Sequence, residues 1–321
     1  MILVTGGAGY IGSHLVKKLK EENKDLIVFD NFEKGHRWAV KDVEVVEGDL
    51  RNEKDVENLF ENYKIDEIFH FAAFSLVGES MKEPDKYFKN NVCGTLNLLK
   101  AMKKHGTRYI VFSSTAAVYG EPENIPITED QKKEPTNVYG QSKLMIEDAL
   151  KWYSNLDIIR YVALRYFNAA GAYPDGSIGE DHDPETHLIP IVLETALGNR
   201  EKMYVYGNDY PTKDGTPVRD YIHVMDLIDA HIQAMEWMKK NNQSDVFNLG
   251  NGQGFSVLEV IKTAEKVTKR KINYEITSRR SGDPAVLIAS SNKSKKILNW
   301  EPQYPQLEKI ISDAWNWHKN R

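Results

Sequence analysis

Short apolar runs alternate with longer amphipathic stretches through the first half of the chain. The runs are rich in β-branched residues and predict strands, whereas the stretches carry apolar side chains at helical spacing. The predicted strands are Ile2–Thr5, Leu26–Phe29, Val43–Val46, Glu67–Phe71, Tyr109–Ser113 and Val162–Tyr166. The predicted helices are Tyr10–Lys20, Glu53–Asn62, Pro84–Lys104 and Tyr139–Tyr153. This alternation predicts an α/β fold with a doubly wound parallel sheet.

The regular alternation ends after Tyr166, and a stretch rich in Gly, Pro and Asp follows at residues 175–190. Later strands are predicted at Tyr204–Tyr206 and Val246–Leu249, and later helices at Met225–Met238, Val257–Thr268 and Leu307–His318. We expect residues 1–166 to form the large domain, with the chain returning to it near residues 219–248. Residues 167–321 are expected to form a smaller mixed α/β lobe that binds the substrate.

The composition excludes several classes of protein. The 321 residues carry a net charge of −5, so the chain offers no basic field for nucleic acid or for an anionic membrane surface. A single cysteine, Cys93, excludes an internal disulfide framework and suits a reducing compartment. The first residues lack the pattern of a signal peptide. We therefore expect a cytoplasmic protein whose partner is a small molecule.

A glycine-rich turn, GGAGYIG, follows the first predicted strand directly and contains Gly6, Gly9 and Gly12. Glycine lets the backbone approach a pyrophosphate, and the N-terminus of the following helix stabilises the phosphate charge. A glycine loop alone is weak evidence, because tight turns also need glycine. A strand before the loop and a helix after it make the signal stronger. The loop predicts a Rossmann-type dinucleotide-binding domain.

Two aspartates follow later strands of the same sheet. Asp30 stands after Leu26–Phe29, where a carboxylate accepts hydrogen bonds from the adenosine ribose and repels a 2′-phosphate. This predicts NAD rather than NADP as the cofactor. Asp49 could lie beside the adenine amino group, or it could instead cap the helix that begins near Glu53.

The segment YGQSK places Tyr139 and Lys143 four residues apart on one face of a predicted helix. The pKa of a tyrosine is ordinarily about 10. An adjacent ammonium and a positively charged nicotinamide both favour the phenolate, which can then act as a base. Lys143 can also hold the nicotinamide ribose. A hydroxyl from Thr115 or Ser114 can complete the group around the reacting oxygen. The bare pattern also fits a surface Tyr–Lys pair, although its place after the fifth strand argues against that.

These motifs together resemble the extended short-chain dehydrogenases/reductases. Further segments make the chain most similar to the UDP-galactose 4-epimerases, and they extend over nearly all of its length: VGES (77–80), NNV (90–92), SSTAAVYG (113–120), LRYFN (164–168), GNDYPT (207–212), VRDYIHV (218–224) and RRSGD (279–283). The resemblance implies reversible epimerisation at C4 of UDP-galactose and UDP-glucose through a 4-keto sugar, with NAD reduced and reoxidised in each cycle.

The resemblance also implies roles for individual residues. Tyr139 is implied as the base, with Lys143 and Thr115 as its catalytic partners. The residues implied in cofactor binding are Gly6, Gly9, Tyr10, Ile11, Gly12, Asp30, Asn31, Asp49, Leu50, Phe71, Ala72, Ala73, Asn90, Thr115, Tyr139, Lys143 and Tyr166. Those implied in substrate binding are Phe167, Asn168, His187, Leu188, Tyr206, Arg219, Arg280, Asp283 and Leu287.

The arginines in the second set offer bidentate donors for a diphosphate in an otherwise acidic chain, although without the flanking motif they would be assigned to surface ion pairs. Three residues depart from the family pattern. Ser75 stands where some members have a cofactor-binding lysine, and Thr115 replaces the commoner serine. Leu287 stands where members carry tyrosine or a small residue, so it bears on whether N-acetylated sugars fit.

Histidines and acidic residues crowd the segment around His182 and His187. The family uses this region as a substrate loop, and such loops are usually solvated unless a matched ligand set is present. We therefore predict no metal site in this protein.

Other functions remain to be weighed against epimerisation. A nucleotide-sugar 4,6-dehydratase needs an extra acid/base pair, but Ala116 and Ala117 stand where that pair would lie and cannot move a proton. A uronate epimerase or decarboxylase is disfavoured by the match at 208–224. A non-catalytic NAD-binding regulator would not need the Tyr139–Lys143 pair.

The helices Pro84–Lys104 and Tyr139–Tyr153 carry more apolar residues than one buried stripe requires. The residues that suggest a second apolar face are Tyr87, Phe88, Val92, Leu96, Leu99, Met102, Leu144, Met145, Ala149, Trp152 and Tyr153. Because the resemblance implies pairing of these helices between two copies, we expect a homodimer.

Overall fold

The strands form one large sheet and three small ones in the computed structural model, which describes residues 1–280 and 283–321. The strands are β1 (Ile2–Thr5), β2 (Leu26–Asp30), β3 (Glu44–Glu47), β4 (Glu67–His70), β5 (Tyr109–Ser113), β6 (Arg160–Tyr166), β7 (Asn168–Ala170), β8 (Met203–Tyr206), β9 (Val218–Arg219), β10 (Tyr221–His223), β11 (Asp245–Leu249), β12 (Phe255–Ser256), β13 (Tyr274–Thr277) and β14 (Val286–Leu287). The helices are α1 (Tyr10–Glu21), α2 (Glu53–Asn62), α3 (Val77–Ser80), α4 (Pro84–Tyr87), α5 (Gly94–His105), α6 (Val138–Asn155), α7 (Leu188–Leu197), α8 (Val224–Asn241), α9 (Val257–Thr268), α10 (Asn292–Leu298) and α11 (Leu307–His318).

The large sheet has seven parallel strands in the order β3-β2-β1-β4-β5-β6-β11. The chain runs outward from β1 to β3 and then returns to place β4 against the other side of β1. This reversal opens a crevice at the carboxyl ends of β1 and β4, where open α/β sheets bind their ligands. The predicted doubly wound fold is confirmed.

Alternate residues of the central strands enter two different cores. Leu3 and Ile27 face a core that α2, α5 and α6 cover, whereas Val4 and Val28 face a core that α1 and α8 cover. Successive side chains of a strand point to opposite faces of the sheet. Because helices cover both faces here, the side chains on both faces must be apolar, which explains the continuous apolar runs in the sequence. In the part of the chain that the structure describes, every helix is too short or too polar to cross a membrane.

The helix predicted at Pro84–Lys104 is present and contains one wider turn. Phe88–Cys93 form a π-helical turn between α4 and α5, and the backbone is helical on both sides of it. Apolar spacing does not reveal such a turn. Asn91 in this turn is buried, and its amide exchanges hydrogen bonds with the backbone N–H and C=O of Phe74 at 2.9 and 3.0 Å. Its neighbour Asn90 lies at the cleft beside the sheet.

A separate apolar core lies under the C-terminal half of the chain, enclosed by α7, α9, α11 and β8. The sequence pattern did not predict α7, because its residues are apolar on most sides and show no clear amphipathic period. The short strands β7, β9, β10, β12 and β14 were also missed, since two or three residues cannot display an alternation. Between these parts, α8 packs on the large sheet and β11 pairs with β6.

Candidate functional site

The glycine-rich loop is packed too tightly for larger residues. Gly6 has φ of +69°, and a Cβ there would lie 2.5 Å from the backbone nitrogen of Ala72, just beyond β4. A Cβ on Gly12 would lie 2.3 Å from the carbonyl oxygen of Gly6. Gly9 is the N-cap of α1 and supplies no capping side chain. The first N–H groups of α1 therefore point into the cleft without a side-chain partner, as a pyrophosphate site requires.

The side chains of Tyr10 and Ile11 face away from this cleft. The Tyr10 hydroxyl donates to the carbonyl oxygen of Gly171 at 2.8 Å, and Ile11 packs against the apolar core. These two predicted cofactor contacts can therefore be made only by backbone N–H groups.

Asp30 ends β2 at the edge of the cleft and is largely buried. Its Oδ2 accepts from the Ala8 N–H at 2.9 Å and its Oδ1 from the Phe32 N–H at 2.8 Å. Burial raises the pKa of Asp30, and the two backbone hydrogen bonds oppose that rise. The carboxylate thus orients the glycine loop while its remaining lone pairs stay available to ribose hydroxyls.

Asp49 lies across the cleft within a polar group. Arg51 Nε lies 2.9 Å from each Asp49 oxygen, and Asn31 Nδ2 donates to Oδ2 at 3.0 Å. Burial raises the pKa of Asp49, but the hydrogen bonds from Arg51 outweigh it and bring the pKa to about 2. The N-cap of α2 is Asn52, so the alternative role of Asp49 as that cap is wrong.

One cleft collects most of the predicted cofactor residues: Gly6, Gly9, Asp30, Asn31, Asp49, Leu50, Phe71, Ala72, Ala73 and Asn90. Its chemistry fits a dinucleotide, with open backbone donors at one end, carboxylates at the other and apolar walls between. Sequence reasoning missed the part of the lining that comes from the loop after β2, namely Glu33, Lys34 and Gly35. This loop packs closely on the glycine turn, since a Cβ on Gly35 would lie 2.7 Å from the Ala8 Cβ.

Tyr139 and Lys143 lie on the first two turns of α6, which Asn137 caps by accepting from the Gly140 N–H at 2.8 Å. The Nζ of Lys143 donates to the Ser113 carbonyl oxygen at 2.8 Å and lies 6.0 Å from the centre of the Tyr139 ring. Thr115 follows β5, and its hydroxyl contacts Tyr139. The structure therefore brings the three predicted catalytic residues together at the carboxyl end of β5.

Burial governs the electrostatics of this group. Burial raises the pKa of Tyr139, and a hydrogen bond with Thr115 opposes that rise. Burial lowers the pKa of Lys143 to about 7, against the opposing charge of Glu147. The sequence prediction invoked the lysine together with a positively charged nicotinamide; in the protein chain alone the pKa of Tyr139 is raised, because desolvation acts on both groups. A further positive charge has to act on the phenol.

The hydroxyl of Ser114 is committed to a buried ion pair. It donates to Glu147 at 2.5 Å, and the same carboxylate receives Nε and Nη2 of Arg165 at 2.9 and 2.5 Å. Of the two candidate hydroxyls, Thr115 is therefore the one left for the site. Glu147 was missed in the sequence, although it stands one helical turn beyond Lys143 on the same face.

Tyr166, the last residue of β6, lies in the same neighbourhood. It is hydrogen-bonded to the Ser113 hydroxyl, and its pKa is raised by burial and by the proximity of Tyr139. The structure thus places it behind the tyrosine–lysine pair.

Several predicted substrate residues lie on or beside the short strands of the C-terminal half: Tyr206 on β8, Arg219 on β9, Arg280 after β13, and Asp283 and Leu287 before and on β14. Arg219 is ion-paired with Asp283, and the guanidinium of Arg280 lies 3.9 Å above the Tyr206 ring. Each arginine therefore already has a partner that a ligand would have to share or displace. Ser281 and Gly282 of the same motif lie outside the described residues.

Leu287 pairs with Arg219 in the register of β14 and β9. It packs with Phe167 and Ala116 against a small apolar cluster next to Thr115. Asn168 follows Phe167 in the chain, and its side-chain amide donates to the Asp220 carbonyl oxygen at 3.2 Å. These contacts place Leu287 and Phe167 within reach of the catalytic group.

His187 and Leu188 mark the start of α7. The side chain of His187 is partly exposed, and its ring contacts Glu180 and Glu185. His182 lies against the same two carboxylates. The expectation of a solvated loop holds for Asp183, Pro184 and Thr186, which are exposed. It is wrong for Glu180 and Glu185, which are only 4% and 9% exposed.

Comparison with known proteins agrees with this geometry. The model of the "NAD dependent epimerase/dehydratase family" matches residues 2–250. A UDP-glucose 4-epimerase of Halalkalibacterium halodurans is 57% identical over 318 residues, which cover 99% of this chain and 95% of that protein. A crystal structure of a UDP-glucose 4-epimerase superposes with a TM-score of 0.98 at 50% identity, covering 100% of this chain and 98% of the other. The UDP-glucose 4-epimerase from Brucella ovis in complex with NAD gives a TM-score of 0.95 at 43% identity and coverages of 98% and 97%. The chain therefore belongs to the NAD dependent epimerase/dehydratase family.

Proposed function

We propose that this protein is an NAD-dependent enzyme that interconverts UDP-galactose and UDP-glucose at C4 of the sugar. One observation carries the proposal: Tyr139, Lys143 and Thr115 meet at the carboxyl end of β5, beside the cleft that the glycine loop and Asp30 line. The geometry supports a proton-transfer group next to a dinucleotide, and the relatives that share it are UDP-glucose 4-epimerases.

Bound NAD would supply the redox chemistry, accepting a hydride from C4 and returning it to the opposite face of the resulting ketone. Tyr139 takes the proton from the O4 hydroxyl and later gives it back. The positive nicotinamide ring is the further charge that the buried phenol needs, since the chain alone raises the pKa of Tyr139.

Lys143 and Thr115 position the reacting groups. The Ser113 carbonyl fixes the Lys143 amine, and the other donors of this amine would hold the nicotinamide ribose. Thr115 holds the Tyr139 hydroxyl and orients O4 toward it. Both groups are buried, which keeps water away from the intermediate ketone.

In this proposal the nucleotide half of the substrate binds to the smaller lobe, residues 167–321. Arg219 would exchange its contact with Asp283 for the diphosphate, and the freed carboxylate would accept from the ribose. Arg280 would approach the diphosphate from its stacked position on Tyr206. Phe167, Asn168, His187 and Leu188 would complete the site around the sugar and uridine.

Leu287 sets the width of the sugar pocket in this proposal. It packs with Phe167 and Ala116 next to Thr115, so its side chain borders the space where a substituent at C2 would lie. Leucine is smaller than tyrosine and larger than serine, and apolar pockets discriminate by about 1–3 kcal/mol for small differences in volume. UDP-N-acetylgalactosamine should therefore turn over, but more slowly than UDP-galactose.

The protein acts as a cytoplasmic homodimer in this proposal. Leu96, Met145 and Trp152 are exposed on neighbouring helices α5 and α6, Trp152 by 66%. Of the apolar residues that suggested this surface, four are buried instead: Tyr87, Val92, Leu99 and Met102. The remaining exposed side chains still offer a face for a second copy.

The function is tested by following UDP-galactose that carries deuterium at C4. The expected product is UDP-glucose that retains the deuterium, because the hydrogen that leaves C4 is the one that returns. A 4-keto-6-deoxy product would assign the protein to dehydration, and loss of the label to solvent would contradict the hydrogen-return mechanism. Absence of any conversion would refute the proposed activity.

A further inference from the structure

Two histidines and two glutamates converge just before α7. Glu180, His182, Glu185 and His187 each contribute one atom to a group in which all atoms lie within 4.8 Å of one another. The Nδ1 of His187 is 3.0 Å from Glu180 and 2.8 Å from Glu185. The Nδ1 of His182 is 3.2 Å from Glu180 and 3.6 Å from Glu185.

We propose that these four side chains bind one Zn²⁺ ion as a structural site. Zinc is held at about 2.0–2.2 Å by histidine nitrogens and carboxylate oxygens, so neighbouring ligands of a tetrahedral ion lie about 3.3–3.5 Å apart. The four nitrogen–oxygen separations run from 2.8 to 3.6 Å. Small side-chain movements therefore bring all four atoms around a common centre.

Ordinary ion pairing explains this arrangement less well. Each imidazole Nδ1 faces both carboxylates, although a single N–H can point at only one acceptor with good geometry. The Nδ1 of His182 is buried and makes no hydrogen bond of acceptable geometry in the described chain, although Glu180 lies 3.2 Å away. The Oε1 of Glu185 already accepts from the backbone N–H groups of Thr186 and His187, both at 2.7 Å.

The charges of the four ligands match a divalent ion. Two buried carboxylates close together need two positive charges nearby. One Zn²⁺ with two neutral imidazoles supplies them and leaves the site neutral. The two backbone N–H groups that hold Glu185 act as the outer contacts that orient a ligand.

The position of the site indicates what the ion would do. The ring of His182 lies edge-on to Tyr10 of the glycine loop at 6.3 Å between centres, and His187 directly precedes α7. His36, from the loop after β2, contacts the Asp181 carbonyl oxygen at 2.9 Å. Because four protein ligands fill a tetrahedron, no position is left for water, and the ion would fasten this segment between the two lobes without taking part in the reaction.

The test measures metal directly on the full-length protein. Purified protein is dialysed against EDTA, given ZnCl₂, passed through gel filtration and analysed for metal by mass spectrometry. We expect about one zinc per chain and a higher Tm than that of the EDTA-treated protein. With CoCl₂ as the probe, we expect the intense visible absorption of tetrahedral Co²⁺. A zinc content no higher than in the EDTA-treated sample, or a weak octahedral cobalt spectrum, would overturn the proposal.

Variants decide whether these residues are the ligands. The double variant His182→Gln/His187→Gln should lose at least about tenfold in bound zinc, whereas His105→Gln, which removes a histidine paired with Glu57 on the surface, should retain it. Circular dichroism checks that the double variant is folded; if it is not, the single variant His182→Gln is compared in its place. Zinc bound equally by the ligand variants and the wild type would refute the assignment. Metal content is measured without any assay of turnover, so the result of this test does not depend on whether the proposed activity is correct.

Discussion

Replacing Lys143 by methionine should make the folded protein more stable while abolishing turnover. The side chain is 3% exposed, and burial lowers its pKa from 10.5 to about 7. That difference corresponds to a cost of about 5 kcal/mol for holding the charged lysine in the fold. Methionine fills similar volume without a charge. It also leaves the Ser113 carbonyl without its donor, which costs about 1–3 kcal/mol. The net gain at pH 6 is therefore about 2–4 kcal/mol.

The lowered pKa of Lys143 makes the stability of the wild-type protein depend on pH. Below the folded-state pKa of about 7, lysine is protonated in both states and the full cost applies. Between that pKa and 10.5, the unfolded state binds more protons than the folded state, so wild-type stability rises with pH. The advantage of Lys143→Met should shrink by about 3 kcal/mol between about pH 6 and about pH 9.

The assay is urea unfolding of nucleotide-free protein across this range, followed by circular dichroism. Lys151→Met is the matched control, because Lys151 is exposed on the same helix and its loss should change stability by less than about 0.5 kcal/mol. A stability difference between Lys143→Met and wild type that does not vary with pH would refute the reasoning.

Four further outcomes are expected. Tyr139→Phe should lower kcat by about 10²–10⁴ while NAD stays bound, because the general base is lost; Tyr153→Phe on the same helix is the control, and a Tyr139 variant within tenfold of wild type would exclude the role. Asp30→Ala should relax the preference for NAD over NADP, because both the acceptor for the ribose and the repulsion of a 2′-phosphate are lost. The preference is measured as the ratio of the two affinities, and an unchanged ratio would show that Asp30 only binds the backbone of Ala8 and Phe32. Leu287→Tyr should abolish activity on UDP-N-acetylgalactosamine and largely spare UDP-galactose, whereas Leu287→Ser should improve the former; a constant ratio of the two rates would place Leu287 outside the pocket. Trp152→Glu should shift the mass measured by light scattering from dimer to monomer, and a wild type that is monomeric at every concentration would contradict the proposed pairing.

The order of elements was readable from the sequence because it depends on local pattern. Apolar runs such as Leu26–Phe29 are buried on both faces of a parallel sheet, and this requires crossover helices of the kind that the amphipathic stretches provide. The glycine loop followed from its place between β1 and α1. The pairing of Tyr139 with Lys143 followed from helical spacing alone.

Tertiary packing decided what that local pattern leaves open. Ser114 and Thr115 are equal candidates as hydroxyls, and only the buried pair of Glu147 and Arg165 commits Ser114 elsewhere. The Tyr10 side chain belongs to the loop motif, but its contact with Gly171 turns it away from the cleft. In each case the deciding partner comes from a distant part of the chain, so no window of sequence contains it.

The segment from Glu180 to His187 shows most clearly what the sequence determines and what tertiary packing decides. Its composition is that of a solvated loop, and the sequence contains the four ligand-type residues without indicating that they meet. Packing against Tyr10 and the C-terminal helix α11 buries both carboxylates, and desolvation then forces them to find positive partners. Sequence determined which groups this segment carries; the fold determined that they face one another, because burial and charge act on positions in space and not on positions along the chain.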